Sequence, residues 1–255
     1  DSGQLIMGGP AHRRAFMDWG VFHVERQFVD VARQYRRVIL QRNAWLKSLE
    51  GKDAGVEKDP WFSQLLELAH KLSRFRAVYV EQFAPIFERT LRQLSPELKV
   101  HLAYDWGGLS SLEEHEKKLT ESWLRDVKFG VTHRGPHRAD LTFRIGNETA
   151  ADVVSRGQAK LIACAALLSQ AELLREHSGA KSVFLIDDFG AELDSTHWRL
   201  FMETLKALDC QVIATSTEPY DHKSLWGGAT TDVRLFHVEH GLAQEVGLSA
   251  ESSDD

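Results

Sequence analysis

The 255-residue sequence predicts an α/β fold: a parallel-rich sheet in its C-terminal half, and an inserted all-α antiparallel helical arm before it. Three observations carry this. Between Phe28 and Tyr79, apolar residues recur at steps of three and four in two segments joined by a short polar loop, the pattern of paired helices. After Asp152, Ala- and Leu-rich helical stretches alternate with short unbroken apolar runs, which implies parallel strands. One of those runs, Val183-Phe184-Leu185-Ile186, ends in Asp187-Asp188, and the C-terminal edge of such a strand is where open α/β sheets bind ligands.

Taken in order, Gly8-Gly9-Pro10 forms a turn. A first long helix runs from about Arg26 to Leu49, with Phe28, Val31, Tyr35, Val38 and Leu46 on one face and arginines between them. Residues 51–59 form a polar loop. Asp59 as cap and Pro60 at the first helical position open a second helix bearing Leu65, Leu68, Leu72, Phe75 and Tyr79. Pro85 is expected to bend or end it, leaving a shorter piece to about Leu94, stopped at Ser95-Pro96. Alternation at Leu98, Val100, Leu102 and Tyr104 predicts a strand, and the charge-rich stretch 112–128 a solvent-facing helix. Leu141 to Ile145 predicts a strand, turned by Gly146-Asn147. Ser155-Arg156-Gly157-Gln158 opens a helix ended by Gly179. The acidic strand, unbroken in its apolar run, reads as buried on both faces. Asp194 caps a helix to about Leu208, Cys210 to Thr215 forms another buried strand, and Val233 to Val238 a last edge strand.

Composition narrows the class. With 43% hydrophobic and 27% charged residues the chain is ordinary for a globular protein, and no apolar run is long enough to span a bilayer, so no membrane partner is expected. No signal peptide is visible. Cys164 and Cys210 sit in apolar contexts without metal-ligand spacing, as reduced core cysteines of a cytoplasmic protein would. The net charge of −6 argues against a generic basic nucleic-acid binder. Its distribution is uneven. Between Ala11 and Lys47, eight Lys/Arg stand against Asp18, Glu25 and Asp30, whereas Glu239 to Asp255 holds five acids and no Lys or Arg. The chain begins at Asp1 rather than Met, which suggests a piece of something longer.

The chemistry-bearing groups follow the same order. Asp187 is placed to hold Mg²⁺ through oxygen, and Asp188 to take a proton from an attacking water; the plain alternative is a solvated acidic turn. The amides of the Ser155–Gln158 turn can point at phosphate, with Gly157 allowing close approach, Ser155 adding a hydroxyl and Arg156 a charge; the plain alternative is an N-cap. Asp194 is a cap by default. The strand from Gln211 to Thr217 ends in hydroxyls that could reach a terminal phosphate.

A signature-like turn and helix, an acidic strand, an acid seven residues after the first, then a Gln-led strand: this order resembles the C-terminal half of an ABC-type ATPase. The finer resemblance is to the RecF family, bacterial recombination mediators of gap repair related to the SMC and Rad50 ATPases. It rests on Pro10-Ala-His-Arg13-Arg14-Ala-Phe16-Met-Asp18, on Gln41-Arg42-Asn43, and on Thr132-His-Arg-Gly135-Pro136-His137-Arg138-Ala-Asp140-Leu141. Ser155-Arg-Gly-Gln158, Leu185-Ile-Asp187-Asp188 and Glu192-Leu193-Asp194 complete it. Arg156, Asp188 and Thr217 stand where ABC ATPases usually have Gly, Glu and His. No Gly-x-x-x-x-Gly-Lys-[Ser/Thr] loop is present, so the chain on its own is expected to be inactive as an ATPase.

The resemblance implies a division into the end of an N-terminal ATPase lobe (1–14), a helical arm (15–95), the C-terminal part of the ATPase domain (96–243) and an acidic, disordered tail (244–255). It implies ATP and Mg²⁺ as cofactors and an ATP-dependent homodimer, with Ser155, Arg156, Gly157, Gln158, Asp194 and Thr217 binding ATP, Asp187 the metal, and Asp188 catalytic. Slow hydrolysis would serve a DNA clamp in recombinational and replication-gap repair, acting on double-stranded or gapped DNA beside other recombination mediator proteins. Arg33, Arg36 and Arg37 form a stripe on the first long helix able to track phosphates, and Arg13 and Arg14 join them as candidate DNA contacts. His137 and Arg138 sit on a turn facing the nucleotide or the dimer interface, or serve the turn alone. The alternatives are a non-catalytic DNA-binding or scaffold module, and the nucleotide domain of a transporter, which the helical arm and arginine stripe disfavour.

Overall fold

The computed structural model describes residues 3–50, 52, 54–105, 111–187, 195–217 and 233–246. Eight α-helices are described: α1 (Gly3–Met7), α2 (Pro10–Val24), α3 (Phe28–Ser48), α4 (Phe62–Leu94), α5 (Leu112–Phe129), α6 (Ala150–Val153), α7 (Arg156–Ser178) and α8 (Ser195–Ala207). The strands are β1 (His101–Asp105), β2 (Asp140–Ile145), β3 (Glu148–Thr149), β4 (Val183–Ile186), β5 (Gln211–Ala214), β6 (Leu235–Glu239) and β7 (Leu242–Val246). They make an antiparallel sheet β1-β2-β3, a parallel pair β4-β5 and an antiparallel hairpin β6-β7. The fold is mixed α/β, with α3 and α4 packed as a helical pair and α4 lying along α7.

The core follows from helix periodicity. On α4, Leu65, Leu68, Leu72, Tyr79, Phe83, Phe87, Leu91 and Leu94 are buried along one stripe. That stripe runs straight through Pro85, and α4 continues unbroken to Leu94, where a bend or stop was expected. Pro85 lies on the exposed side. The helix loses one backbone hydrogen bond there, a penalty of about 3 kcal/mol, and the buried side chains on both sides of it outweigh that. Gly20 brings α2 against α4: a Cβ there would run into the Tyr79 hydroxyl and Gln170.

Several further expectations are corrected. Asp59 does not cap α4, which begins at Phe62; it is buried, and its Oδ2 receives Arg42 Nε at 2.6 Å while Oδ1 receives the Trp61 amide at 2.9 Å. The charged helix α5 is amphipathic rather than solvent-facing, burying His115, Leu119, Trp123, Asp126 and Val127. The strand at Leu98–Tyr104 starts later: pairing begins at His101, and Leu98 and Val100 are buried ahead of it. The acidic strand is not covered on both faces by described residues. Phe184 and Ile186 pack inward, whereas Leu185 is 77% exposed. The expected last edge strand is half of the β6-β7 hairpin, turned at His240 and Gly241, and β7 reaches into the segment expected as tail; residues 247–255 lie outside the described residues.

One buried cation ties the helical pair to the rest. Arg42, on α3, is 0% exposed. Its Nη1 donates to Asp126 Oδ2 at 2.9 Å and to Thr132 Oγ1 at 2.7 Å, beside its bond to Asp59, and its guanidinium lies 5.8 Å from the Trp123 ring centre. Asn43 Oδ1 takes the Thr132 amide and hydroxyl, each at 2.8 Å. Replacing Arg42 with Ala strands two buried carboxylates. We expect a loss of about 3–5 kcal/mol, read as a lowered urea midpoint at unchanged slope.

Candidate functional site

The parallel register of β4 and β5 pairs Ile186 with Ala214, which sets Asp187 level with Thr215 at the C-terminal edge. The Thr215 amide donates to the Ile186 carbonyl at 2.8 Å, and the Thr215 hydroxyl donates to Asp187 Oδ1 at 2.7 Å. Asp187 and Thr217 are both exposed. Asp188 and Asp194 lie outside the described residues. The donors gathered at this edge are all oxygens, the chemistry of a hard cation such as Mg²⁺. Among the described residues no group of three or more His, Cys, Asp or Glu could hold a metal. Asp187 would therefore share such an ion with water or ligand oxygens, which is how Mg²⁺ is usually bound.

The turn that opens α7 is built by a capping box. Ser155 Oγ accepts the Gln158 amide at 3.2 Å, and Gln158 Oε1 accepts the Ser155 amide at 2.9 Å. The box fixes the turn, while Ser155, Arg156 and Gly157 stay exposed. Around Gly157 the chain leaves space: a Cβ there would meet nothing nearer than Ser155 Oγ at 3.9 Å. Nothing in the packing of the described residues requires a glycine at this position. Among the described residues no hydrogen bond or ion pair joins this turn to Asp187 or Thr217. Within one chain the two places are separate.

The motif arginines divide into two groups. Arg13, an expected DNA contact, is buried. Its Nε and Nη2 each donate to one Asp140 oxygen at 2.8 Å, and Nη1 donates to the Gly8 carbonyl. It is a structural tie between α2 and β2, with its guanidinium edge occupied. Arg14 donates to the Ala139 carbonyl at 2.8 Å, and partial burial, then Arg76, hold its pKa below the usual arginine value. By contrast Arg33, Arg36 and Arg37 are exposed, without an ion pair among the described residues.

The Gly135-Pro136-His137-Arg138 turn is where these ties converge. Arg76 pairs both its Nε and Nη2 with Asp18, at 2.7 and 2.8 Å, and donates Nη1 to the Pro136 carbonyl at 2.7 Å. Gly135 adopts φ +138°, and a Cβ there would press on the Tyr35 hydroxyl at 2.6 Å. His137 Nε2 lies 2.9 Å from the Thr132 carbonyl, so Nε2 carries the proton and Nδ1 accepts from the Tyr35 hydroxyl at 2.7 Å. Burial pushes His137 down to about 4. His137 thus serves the turn as a neutral pin, and Arg138 beside it is exposed. On α5, His115 is likewise pushed to about 4 by burial, then by His137 and His70, and neither of its ring nitrogens has a hydrogen-bond partner among the described residues.

Sequence reasoning missed Thr215, Asp140, Arg76 and Asp59 as positioning groups. The signal for Thr215 lay in the register: both strands carry four residues before the oxygen-bearing one. For the others the motifs gave no indication of which residue pairs with which: Arg13 and Asp140 stand in two separate motifs, and Arg76 and Asp59 lie outside them.

The chain is similar to curated proteins called DNA replication and repair protein RecF. It is 36% identical over 246 residues to that of Pseudomonas paraeruginosa, covering 96% of this chain and 66% of the relative. It is 41% identical over 245 residues to that of Chromohalobacter salexigens (94% and 66%), and 38% over 243 residues to that of Pseudomonas entomophila (94% and 65%). The chain thus spans 65–66% of the length of these relatives. Among solved structures, its fold matches the recombination mediator protein RecF-ATP in the RecFOR pathway, with a TM-score of 0.78 at 24% identity over 96% of this chain and 65% of that one. It also matches the Smc head domain of Pyrococcus furiosus bound to the C-terminal domain of ScpA, with a TM-score of 0.51 at 15% identity over 96% and 59%. No family model matches. The chain belongs to the RecF family.

The two depressed histidines predict acid sensitivity. A histidine held neutral by the fold leaves stability intact above its unfolded pKa near 6.5, and that stability is lost as the pH falls towards the folded value of about 4. For His115 the loss is on the order of 3 kcal/mol. His115→Leu should flatten the fall in unfolding free energy between pH 6.5 and 4, measured by urea titration at each pH.

Proposed function

We propose that this RecF-family chain supplies two halves of an ATP-dependent dimer interface in a DNA replication and repair protein, and the basic helix that meets DNA. One half is the Asp187 edge. The other is the Ser155–Gln158 turn, acting on nucleotide bound by a second copy. The observation that carries this is the Ser155–Gln158 turn itself, rigidly capped from within yet exposed, with room at Gly157 that the chain leaves unfilled. A turn fixed by its own side chains presents the amides that the box leaves unused, those of Arg156 and Gly157, without further ordering, which favours binding of phosphate from outside. Relatives named as DNA replication and repair proteins, and a matching fold described as RecF-ATP, support the ligand and the pathway.

In this reading the Arg156 and Gly157 amides, which the capping box does not use, contact the terminal phosphate across the interface together with the Ser155 hydroxyl and the Gln158 side chain, and the Arg156 guanidinium adds charge. Asp187 holds Mg²⁺ jointly with nucleotide oxygens, and when bound the ion neutralises developing phosphate charge. Asp188 orients the attacking water and takes its proton. Asp is one methylene shorter than the Glu usual there, so turnover is slow and ATP acts chiefly as a dimerisation switch. Thr217 offers a hydroxyl to the terminal phosphate. Asp194, seven residues after Asp187 in the sequence, contributes a further contact to the nucleotide. Double-stranded or gapped DNA is met by Arg33, Arg36 and Arg37, which are exposed and free of ion pairs among the described residues.

Two measurements test this on the complete protein. Gly157→Leu should leave the melting temperature within a few degrees of wild type, since its Cβ meets open space, yet abolish ATP-driven dimerisation in light scattering. A variant that still dimerises with ATP sinks the trans assignment. Replacing Arg33, Arg36 and Arg37 by Ala should weaken duplex binding at all sequences alike. It should also reduce the slope of log affinity against log salt by up to about 3, near 0.9 per lost phosphate contact. An unchanged slope removes the stripe from the DNA surface.

A further inference from the structure

The acid strand is tied to its neighbour by one side-chain hydrogen bond at the functional edge. Val183 to Ile186 pair residue by residue with Gln211 to Ala214, and the Thr215 amide extends the ladder by one step, donating to the Ile186 carbonyl at 2.8 Å. This fixes the Thr215 backbone beside Asp187. Thr215 is β-branched and stiff at χ1, so its hydroxyl has few positions open to it, and it donates to Asp187 Oδ1 at 2.7 Å. An exposed carboxylate otherwise turns freely about two torsions. A donor fixed by the sheet selects one orientation and commits Oδ1, which leaves Oδ2 as the oxygen for another ligand.

We propose that Thr215 is a positioning residue for the metal role of Asp187: its hydroxyl holds the carboxylate in the orientation that presents Oδ2 to a hydrated Mg²⁺ accompanying nucleotide. This rests on the assignment of Asp187 made under the proposed function. Hydrogen bonds that orient a ligating carboxylate characteristically contribute ten- to a hundredfold in metal affinity, so about that much is expected from this one. The hydroxyl is the part that matters. Valine keeps the shape and β-branching of Thr215 without the donor, and serine keeps the donor with less stiffness.

The test is binding, not turnover. Affinity of the complete protein for a fluorescent ATP analogue is measured across a Mg²⁺ titration and in EDTA. Thr215→Val should raise the half-saturating Mg²⁺ concentration about tenfold or more while leaving the affinity in EDTA unchanged, and Thr215→Ser should return to within about threefold of wild type. Thr215→Ala removes the hydroxyl without a new methyl contact and carries the same expectation should the Val variant fold poorly. A wild-type Mg²⁺ midpoint in Val and Ala overturns the proposal. So does an equal loss of affinity with and without Mg²⁺, which marks a purely structural role. Asp187→Asn is measured in parallel. If it shifts the Mg²⁺ midpoint and the Thr215 variants do not, only the positioning role fails; if it leaves the midpoint unchanged, the metal assignment of Asp187 fails and the proposal with it.

Discussion

The buried Arg42 guanidinium is the constraint on which the rest of the arrangement depends. A cation with no solvent exposure is tolerable only where carboxylates come to it, and here two do, from different parts of the chain. Asp59 comes from the segment before α4 and Asp126 from the end of α5. Two carboxylates against one guanidinium leave an excess acceptor capacity. Asp126 disposes of it by also accepting from the amide and ring of His133, at 3.0 and 2.9 Å, and from Ser122. The start of the Gly-Pro-His-Arg turn is thereby fixed to α3 before the turn makes any contact of its own.

From that point the geometry propagates by short steps. The turn is held at Thr132 by Arg42 and Asn43, at Pro136 by Arg76, at His137 by Tyr35, and at Asp140 by Arg13. Three stretches quoted as separate motifs thus meet at one place, where Arg13 and Arg42 have their charge answered inside the fold while Arg134 and Arg138 stay exposed. The parts we propose for ligands lie elsewhere, at the exposed start of α7 and the edge of β4-β5. Burial and exposure divide along that line: the ties are dry, where hydrogen bonds to charge are strong, and the ligand edges are open.

How far this was legible in the sequence depends on the kind of signal. The α3-α4 pair, the Ser155 cap and the existence of β4 and β5 were readable because each is local: a periodicity, a cap spacing, a short apolar run; the register between the two strands was not read. Pro85 misled because proline's penalty is local while the buried stripe it interrupts draws on the whole of α4. Asp59 misled for the same reason, since Asp-Pro is a helix-start pattern whose carboxylate was taken by a charge 17 residues away in the chain. Composition gave no warning that Arg42 and Arg13 belong inside, because a buried arginine and a surface arginine look alike until their partners are known. The exposed face of β4 has a similar origin: an unbroken apolar run says that a strand can be covered on both sides, not which residues cover it.

The same accounting alters the electrostatic case for DNA. The first helices carry a local positive excess, yet Arg13 and Arg42 are neutralised internally and Arg14 is turned to a carbonyl. What remains outward on α3 is the short stripe Arg33, Arg36 and Arg37, with Lys47 in the last turn. Three phosphate contacts release few counterions, and on a chain of net charge −6 they make a weak grip alone. Two copies joined through nucleotide would present two such stripes, and the second would engage at a high effective concentration. A modest basic surface is thus what the proposed clamp, controlled by dimerisation, would require: strong enough to hold DNA as a pair, and weak enough to release it as single chains.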